Sequence, residues 1–288
     1  MWILIVTILI IIVLLSLYVY KESTGYHIVR YSIDDARVKK DKTTIVFMSD
    51  LHNKQHGQRN ADVLADIENI NPDYVFIGGD MITSCMEHWS GYDDTLAFID
   101  ALSKKYKVVY GMGNHEERLR RKPNKFPEGA YDDLTDRLSK MGCPILSNEC
   151  EDLDFNIRVY GLDLDHKYYR KVVTRKIPDG YLEEKLGAPD KNIFNVLLAH
   201  NPEHFKSYAE WGSNLVLSGH VHGGIVRLPY LGGVVSPALK LFPKYDGGEF
   251  IEYGSRMILS RGLGTHTIPV RINNKAELIV IDIMGSQD

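Results

Sequence analysis

The chain has 288 residues, of which 44% are apolar and 25% charged, and this length suits one large or two small globular domains. Its formal net charge of −4 excludes a global basic field, so nucleic acid is not an expected partner. Its three cysteines are scattered and lack CxxC spacing, which argues against a disulfide framework and against a thiolate zinc site.

The first 20 residues depart from this average composition. The stretch WILIVTILIIIVLLSLYVY (2–20) carries no charge, and as a helix it would span about 28 Å, close to the ~30 Å hydrocarbon core of a bilayer. A cleaved signal peptide would need a charged start, a shorter apolar core and small residues at a cleavage site, and this stretch has none of them. Apolar residues all round the helix also argue against a buried soluble helix. We therefore predict an uncleaved transmembrane anchor over residues 1–20.

The residues after the anchor bear on topology and on domain boundaries. Basic residues follow the apolar stretch and none precedes it, which favours a cytoplasmic catalytic domain on a single-pass anchor in the cell membrane. Residues 21–43 are interpreted as a polar linker, and residues 44–288 as the catalytic domain.

Beyond the linker, short apolar runs alternate with helical patterns. Strands are predicted over 43–49, 73–79, 107–112, 157–162, 194–200, 214–219, 256–262 and 276–283, and helices over 59–71, 95–105 and 201–212. The β-α-β-α-β series in the first half favours parallel strands in an α/β domain. We expect a two-sheet β-sandwich flanked by helices.

Polar side chains suited to metal follow five of these strands. They are Asp50 and His52, then Asp80, then Asn114 and His115, then His200, and finally His220 and His222. In open α/β sheets ligands collect beyond the carboxyl ends of strands, so these residues are expected to meet in one region. Residues i and i+2 of an extended segment point the same way, so His220 and His222 are expected to converge, as are Asp50 and His52. Carboxylate, imidazole and amide ligands suit Zn, Mn or Fe.

The order of these motifs resembles a known family. SDLH (49–52), GGD (78–80), GNHE (113–116), AH (199–200) and GHVH (219–222) are together similar to the motif set of the calcineurin-like metallophosphoesterase superfamily. The resemblance covers the chain from about residue 44 to the end. The N-terminal anchor and the tail SRGLGTHTIPVR (260–271) look most like its bacterial YkuE/YaeI-type branch. The resemblance implies a metal-dependent hydrolase of phosphate esters or anhydrides.

The resemblance also implies a role for each strand-end residue. Asp50, His52 and His222 would hold one divalent metal ion, Asn114, His200 and His220 a second, and Asp80 would bridge both. His115 would not bind metal but would stabilise the phosphoryl oxygens or protonate the leaving group. Elementary physics agrees with the bridge, because two cations ~3.5–4 Å apart repel and a shared carboxylate reduces that cost. Asp80 follows the middle of three ligand-bearing strands, and a metal-activated water would be the nucleophile.

Substrate contacts are less firmly indicated. Arg118 and Arg121 lie in the basic run EERLRRKPNK (116–125), which indicates either recognition of a phosphate or anionic lipid head group, or a solvated helix face. The resemblance suggests that Arg261 and His266 approach the site, with an ordinary glycine turn as the alternative.

The anchor favours a membrane-associated substrate. Relatives in the broad group include hydrolases of a UDP-linked diacylglucosamine pyrophosphate, so a lipid-linked pyrophosphate is one hypothesis beside phosphodiesters and phosphomonoesters. A protein phosphatase, a nuclease and a non-catalytic scaffold for phosphorylated ligands are the alternatives. The scaffold predicts a lost ligand position, and every position is filled. The metal, the ester class and the oligomeric state are left open.

Overall fold

The elements of the fold follow the predicted order closely. The computed structural model describes residues 1–85, 89–169, 175–224, 226–228, 230–234, 241–265 and 270–286. Within them the helices are α1 (Trp2–Thr24), α2 (Ala61–Ile70), α3 (Asp93–Ser103), α4 (Asn114–Arg121), α5 (Ala130–Lys140), α6 (Tyr181–Leu186) and α7 (Phe205–Trp211). The strands are β1 (Tyr26–Asp34), β2 (Lys42–Met48), β3 (Tyr74–Ile77), β4 (Lys107–Gly111), β5 (Ile145–Leu146), β6 (Glu149–Leu153), β7 (Ile157–Gly161), β8 (Phe194–Leu198), β9 (Leu215–Ser218), β10 (Arg227–Leu228), β11 (Gly232–Gly233), β12 (Gly248–Glu252), β13 (Ser255–Leu259) and β14 (Ala276–Met284).

Among the described residues the strands form two six-stranded sheets and one short hairpin. The first sheet has the order β1-β14-β2-β3-β4-β5, the second the order β12-β13-β9-β8-β7-β6, and β10 pairs with β11. Strands β2 to β5 are parallel, as the alternation of strands and helices predicted. In the second sheet β7, β8, β9 and β13 are also parallel, so the carboxyl ends of β8 and β9 lie at one edge.

Three hydrophobic clusters separate four layers. Along β2, Val46 and Met48 pack with α2 and α3 on one face, whereas Ile45 and Phe47 pack between the two sheets on the other. Successive side chains of a strand point to opposite faces, so a strand buried on both faces has a continuous apolar sequence. A third cluster covers the far face of the second sheet and includes Phe205 of α7. The structure confirms the predicted two-sheet sandwich flanked by helices.

The N-terminal helix stands apart from these layers. None of the 23 residues of α1 is buried against the rest of the chain. Its length and composition are sufficient to cross a membrane, a property that signal sequences share. The helix continues to Thr24, four residues past the predicted end of the anchor.

The interpretation of residues 21–43 as a linker was wrong for its central part. Residues 26–34 form strand β1, which pairs in parallel with β14 from Tyr26↔Ala276 to Asp34↔Met284. Arg30 and Ser32 are exposed along one side of this edge strand, while Ile33 is buried. Because one face of β1 is polar and the other is less polar, the composition of the whole segment resembles that of a linker, and the strand was not predicted. The folded domain therefore begins before residue 44.

Candidate metal centre

The strand-end residues predicted from the sequence lie at facing edges of the two sheets. Asp50 and His52 follow β2, Asp80 follows β3, and Asn114 and His115 begin α4 directly after β4. In the first sheet β3 lies between β2 and β4, which is the middle position predicted for the strand before Asp80. The remaining three residues follow the adjacent strands β8 and β9 of the second sheet: His200, His220 and His222.

The backbone turns sharply at these positions. The φ angles are 52° at Asp50, 50° at His52, 53° at Asp80, 72° at His220 and 52° at His222. Residues other than glycine adopt such angles at a cost of about 1–3 kcal/mol each, and they concentrate at functional sites. The expectation of extended segments was therefore wrong. Asp50 and His52 still reach one cluster, but His220 and His222 reach different ones.

Three overlapping groups of ligand atoms meet at this edge. Within each group the donor atoms all lie within 4.8 Å of one another. The groups are Asp50 with His52 and His222, His52 with Asp80 and His115, and Asp80 with His200 and His220. The middle group shares His52 with the first and Asp80 with the third, so the three form one continuous centre.

The first group has the spacing of a coordination shell. Nε2 of His222 lies 3.3 Å from Oδ1 of Asp50 and 3.1 Å from Nε2 of His52. Nitrogen and oxygen ligands about 2.0–2.2 Å from one ion are themselves roughly 3–3.5 Å apart. Nε2 of His52 lies 3.8 Å from Oδ1 of Asp50, so two of the three separations match this range, and the three buried donors can approach one divalent cation.

The third group fits a second cation, and a buried amide oxygen at the start of α4 is unsatisfied. Oδ2 of Asp80 lies 3.1 Å from Nε2 of His200, whose Nδ1 donates to the Gly78 carbonyl at 2.7 Å. That hydrogen bond leaves Nε2 as the ligand atom and orients the ring. In the described part of the chain, the buried Oδ1 of Asn114 has no hydrogen-bond partner. Such an oxygen is costly unless something else, such as a metal ion, accepts its lone pairs.

The titration behaviour of the centre also favours a bound cation. Burial raises the pKa of Asp50 to about 6. Burial opposes ionisation of Asp80, but His200 and His115 outweigh it and hold the pKa of Asp80 well below its ordinary value. Burial alone would lower the pKa of His200, yet the carboxylates of Asp80 and Asp50 raise it to about 10. A dense buried cluster of carboxylates thus attracts positive charge, which a metal ion supplies on displacing the proton.

His115 has a defined tautomer when it is neutral. Its Nδ1 accepts a hydrogen bond from the backbone N–H of Ser84 at 2.8 Å. A backbone N–H can only donate, so the proton of the neutral ring is on Nε2, 4.0 Å from Oδ2 of Asp80. The sequence carried no signal for Ser84, because the contact joins helix α4 to the loop after β3, 31 residues earlier in the chain.

Glu116 has a larger structural role than its sequence position suggested. Its buried carboxylate accepts hydrogen bonds from the backbone N–H groups of Asp80 and Met81, at 2.9 and 3.1 Å, and from the Tyr110 hydroxyl at 2.8 Å. Burial, with the charge of Asp80, raises the pKa of Glu116 to about 7. The side chain therefore holds the loop that presents Asp80.

Replacement of Glu116 with alanine is expected to loosen this loop. Three buried donors would lose their acceptor, and at about 1 kcal/mol or more for each the loss corresponds to a Tm lower by roughly 6–12 °C. Thermal unfolding of the full chain in detergent, followed by circular dichroism, measures the shift. Glu210→Ala is the control, because Glu210 is exposed on α7 and contacts only Lys206 at 3.6 Å among its ion pairs in the described residues. Equal Tm values for the two variants would contradict this role.

The two arginines predicted to contact the substrate form hydrogen bonds with different parts of the chain. Arg118 Nη1 donates to the carbonyl of Ser84, the residue that fixes His115, at 3.0 Å. Arg121 Nε donates to Oε1 of Glu117 on the same helix, at 2.8 Å. Both arginines thus lie on α4, the helix that begins at Asn114.

Residues of the C-terminal tail and one tyrosine complete the surroundings. Nε of Arg261 lies 3.6 Å from Oε2 of Glu277, while the loop after Arg261 contacts the metal centre through Gly264 N–H, which donates to the Asp50 carbonyl at 2.7 Å. His266 lies outside the described residues. Tyr169, which the sequence did not single out, has its ring centroid 5.3 Å from that of His220.

Comparison with known proteins agrees with this geometry. Residues 43–224 match the model of the calcineurin-like phosphoesterase family, and the chain belongs to that family. It is 27% identical to an uncharacterized metallophosphoesterase of Aquifex aeolicus, over 95% of this chain and 97% of the relative. It is 23% identical to the phosphodiesterase YaeI of Escherichia coli, over 92% and 91%, and 31% identical to the metallophosphoesterase YkuE of Bacillus subtilis, over 36% of each chain. The protein is a phosphoester hydrolase of a family that uses divalent metal ions, as the motifs predicted.

Proposed function

We propose that this protein is a membrane-anchored phosphoesterase with a dinuclear metal site. Asp50, His52 and His222 would hold one ion, Asn114, His200 and His220 would hold the other, and Asp80 would be a ligand shared by both. The position of Asp80 supports this assignment best, because its Oδ2 lies 3.1 Å from Nε2 of His200 and 3.9 Å from Nε2 of His52. One carboxylate oxygen is thus within reach of an imidazole from each ion's ligand set.

The bound ions and the side chains around them would have different roles in hydrolysis. When bound, the two divalent ions would supply the Lewis acidity that activates a water nucleophile and offsets phosphoryl charge. His115 faces the centre with the proton-bearing Nε2 of its neutral ring, so it can stabilise a phosphoryl oxygen or protonate the leaving group. Asn114 contributes an oxygen ligand without adding negative charge beside an anionic substrate. Asp80 and His115 are therefore the proposed catalytic residues.

The ligand set accepts Mn, Zn or Fe, so we expect the chelator-treated full chain to regain hydrolysis of bis(p-nitrophenyl) phosphate with one of these ions.

The two histidines after β9 should serve different ions. His220→Ala and His222→Ala are each expected to lower the metal content of the purified protein by about half, since each removes a ligand from one site only. Elemental analysis by mass spectrometry measures the content. His166→Ala, with a side chain 44% exposed, is the matched control. A normal metal content in either ligand variant would refute the pairing.

The substrate is proposed to be associated with the membrane. The apolar helix α1 supports a substrate such as a lipid-linked, UDP-diacylglucosamine-like pyrophosphate, while the name of the relative YaeI favours a phosphodiester. Arg118 and Arg121 are the proposed contacts for substrate phosphate, with Arg261 and His266 as further proposed contacts. A screen of lipid-linked pyrophosphates, phosphodiesters, phosphomonoesters and phosphopeptides, read by released phosphate and product mass, separates these classes. Hydrolysis of soluble phosphopeptides alone would contradict the lipid-linked hypothesis.

The catalytic domain is proposed to face the cytoplasm. Lys21, Arg30 and Lys39 follow the apolar segment. Fusion of topology reporters to the C-terminus tests the orientation.

A further inference from the structure

We propose that the protein makes a second contact with the bilayer beside α1. The contact is an apolar surface on the segment that follows His222, and it is called the hairpin patch here. Its members are Leu228, Tyr230, Leu231, Leu241 and Phe242. The inference rests on the proposed anchoring by α1, and it goes beyond that anchoring by placing part of the folded domain in the membrane interface.

The hairpin patch concentrates exposed apolar side chains. The exposed fractions are 42% for Leu228, 106% for Tyr230, 64% for Leu231, 69% for Leu241 and 55% for Phe242. After α1, these are five of the nine large hydrophobic residues that are exposed in the described part of the chain. Single exposed apolar residues are ordinary, but a concentration of them marks an interaction surface.

Backbone hydrogen bonds hold the members of the patch side by side. Strand β10 pairs with β11, so that Arg227 lies opposite Gly233. Val234 N–H donates to the Val226 carbonyl at 2.9 Å, and Phe242 N–H donates to the Val234 carbonyl at 3.0 Å. The three short segments thus form one local surface.

The sequence of α1 indicates where its membrane interface lies. Tyr18 and Tyr20 come directly before Lys21, the first charged side chain of the helix, and such aromatic residues favour the head-group level. Ser23 lies three residues beyond Tyr20, about 4.5 Å along the helix axis. Its hydroxyl accepts a hydrogen bond from Arg271 N–H at 2.9 Å, and its carbonyl accepts one from Lys54 Nζ at 2.7 Å. The domain surface that contacts Ser23 is therefore within about one helical turn of the interface.

The hairpin patch begins on that same surface. Ile272, next to Arg271, accepts a hydrogen bond from Arg227 N–H at 3.1 Å, and Val226 forms a bridge with Ile272. Asn273 Nδ2 also donates to the Arg227 carbonyl, at 3.3 Å. Leu228 therefore follows Arg227, which contacts Ile272, the neighbour of the residue that binds α1, and the hairpin is linked to the α1 contact through these residues.

The surroundings of the patch suit a lipid surface. Lys21 lies in the last turn of α1, Lys54 is half-buried where it binds Ser23, and Lys244, whose side chain is 70% exposed and pairs with Glu252, lies two residues after Phe242. Apolar and aromatic side chains flanked by lysines are the composition of segments that bind the interface of anionic membranes. The α1 contact and the hairpin patch are both close in sequence to the metal centre, because Lys54 follows His52 by two residues and the hairpin follows His222. Two contacts would hold the centre at the bilayer surface.

Fluorescence quenching by spin-labelled lipids tests this orientation. The full chain, with Cys85 and Cys150 replaced by serine and Cys143 by alanine, receives one cysteine at Tyr18, Tyr230 or Tyr253, labelled with bimane. Chelator-sensitive hydrolysis by each protein confirms that it is folded. In vesicles of phosphatidylcholine and phosphatidylglycerol, nitroxides near the head groups are expected to quench the label at position 230 as strongly as at position 18.

Position 253 is the matched control. Tyr253 is 66% exposed in the turn between β12 and β13. Arg256 pairs with Leu215 at the start of β9, so the turn lies beside the amino end of that strand. His220 follows the other end of β9, so the turn and His220 are at opposite ends of the strand. Its label is expected to keep its fluorescence.

The outcomes separate the two contacts. Quenching at 18 but not at 230 would overturn the hairpin patch and leave the anchor in place. Quenching at neither position would overturn both. Shielding of the label at 230 already in detergent, with a doubled protein mass by light scattering, would assign the patch to a second copy of the chain and overturn the lipid contact.

Discussion

Asp80→Asn is expected to lower kcat/KM for bis(p-nitrophenyl) phosphate by about 10³-fold, because a metal centre supplies several kcal/mol of transition-state stabilisation and each 1.36 kcal/mol is tenfold in rate. Asparagine preserves the size of the side chain and the acceptor that binds His115 N–H at 2.7 Å, but it removes the charge shared by the two ligand groups. Steady-state kinetics and elemental analysis of the purified full chain should show both losses together.

A control at the other end of the same strand makes this test specific. Asp73 lies just before β3, as Asp80 lies after it, and its Oδ2 accepts a hydrogen bond from Thr44 N–H at 2.8 Å. Asp73→Asn makes the same chemical change far from the centre, so we expect activity and metal content near those of the wild type. Full turnover by Asp80→Asn after removal of metal would disprove the mechanism.

Gly113→Ala is expected to reduce both stability and activity. A methyl group at this position would overlap the backbone nitrogen and Oδ1 of Asp80. The Asp80 loop has little room to shift, because Glu116 already binds its backbone. Overpacking of this kind costs about 1–3 kcal/mol, which corresponds to a Tm lower by roughly 2–12 °C. Displacement of Asp80 should also lower kcat/KM by at least about tenfold, since small misplacements of catalytic groups are costly.

Gly25→Ala provides the comparison at a matched backbone angle. The φ angles are −91° at Gly25 and −100° at Gly113, so alanine is allowed at both. At Gly25 the nearest atom to an added methyl is Cε of Lys275 at 3.2 Å, at the flexible end of a side chain. This variant should unfold and react like the wild type. If Gly113→Ala did the same, the close packing around Asp80 would not matter for function.

The order of strands and the chemistry at their ends could be predicted because both are local properties. The apolar runs before Asp50, Asp80 and Asn114 each identify a strand and place its end to within two residues. Parallel strands align their carboxyl ends, so residues distant in sequence were expected at one edge. The edge strand β1 was missed because its exposed Arg30 and Ser32 alternate with less polar residues.

Details of the centre depended on contacts that no local pattern carries. Five of the strand-end residues adopt left-handed backbone angles, which a pattern of extended segments does not predict. The supports for Asp80 and His115, provided by Glu116 and Ser84, join helix α4 to the loop after β3, more than 30 residues earlier in the chain. A single sequence does not record such pairs, because either partner alone is an ordinary polar residue.

The sequence by itself determined the family, the two-sheet α/β sandwich and the apolar N-terminal helix. The periodicity of the strands, the order of the motifs and the length of the apolar segment are all properties of the local sequence. The resemblance already implied that His220 and His222 serve different ions, and only the tertiary structure showed the turn, at φ angles of 72° and 52°, by which they reach different groups of donors. The tertiary structure likewise placed the exposed apolar hairpin beside the end of α1, through contacts of Ser23 and Arg227 with residues 271 and 272. Those contacts join parts of the chain more than 40 residues apart, and only folding brings them together.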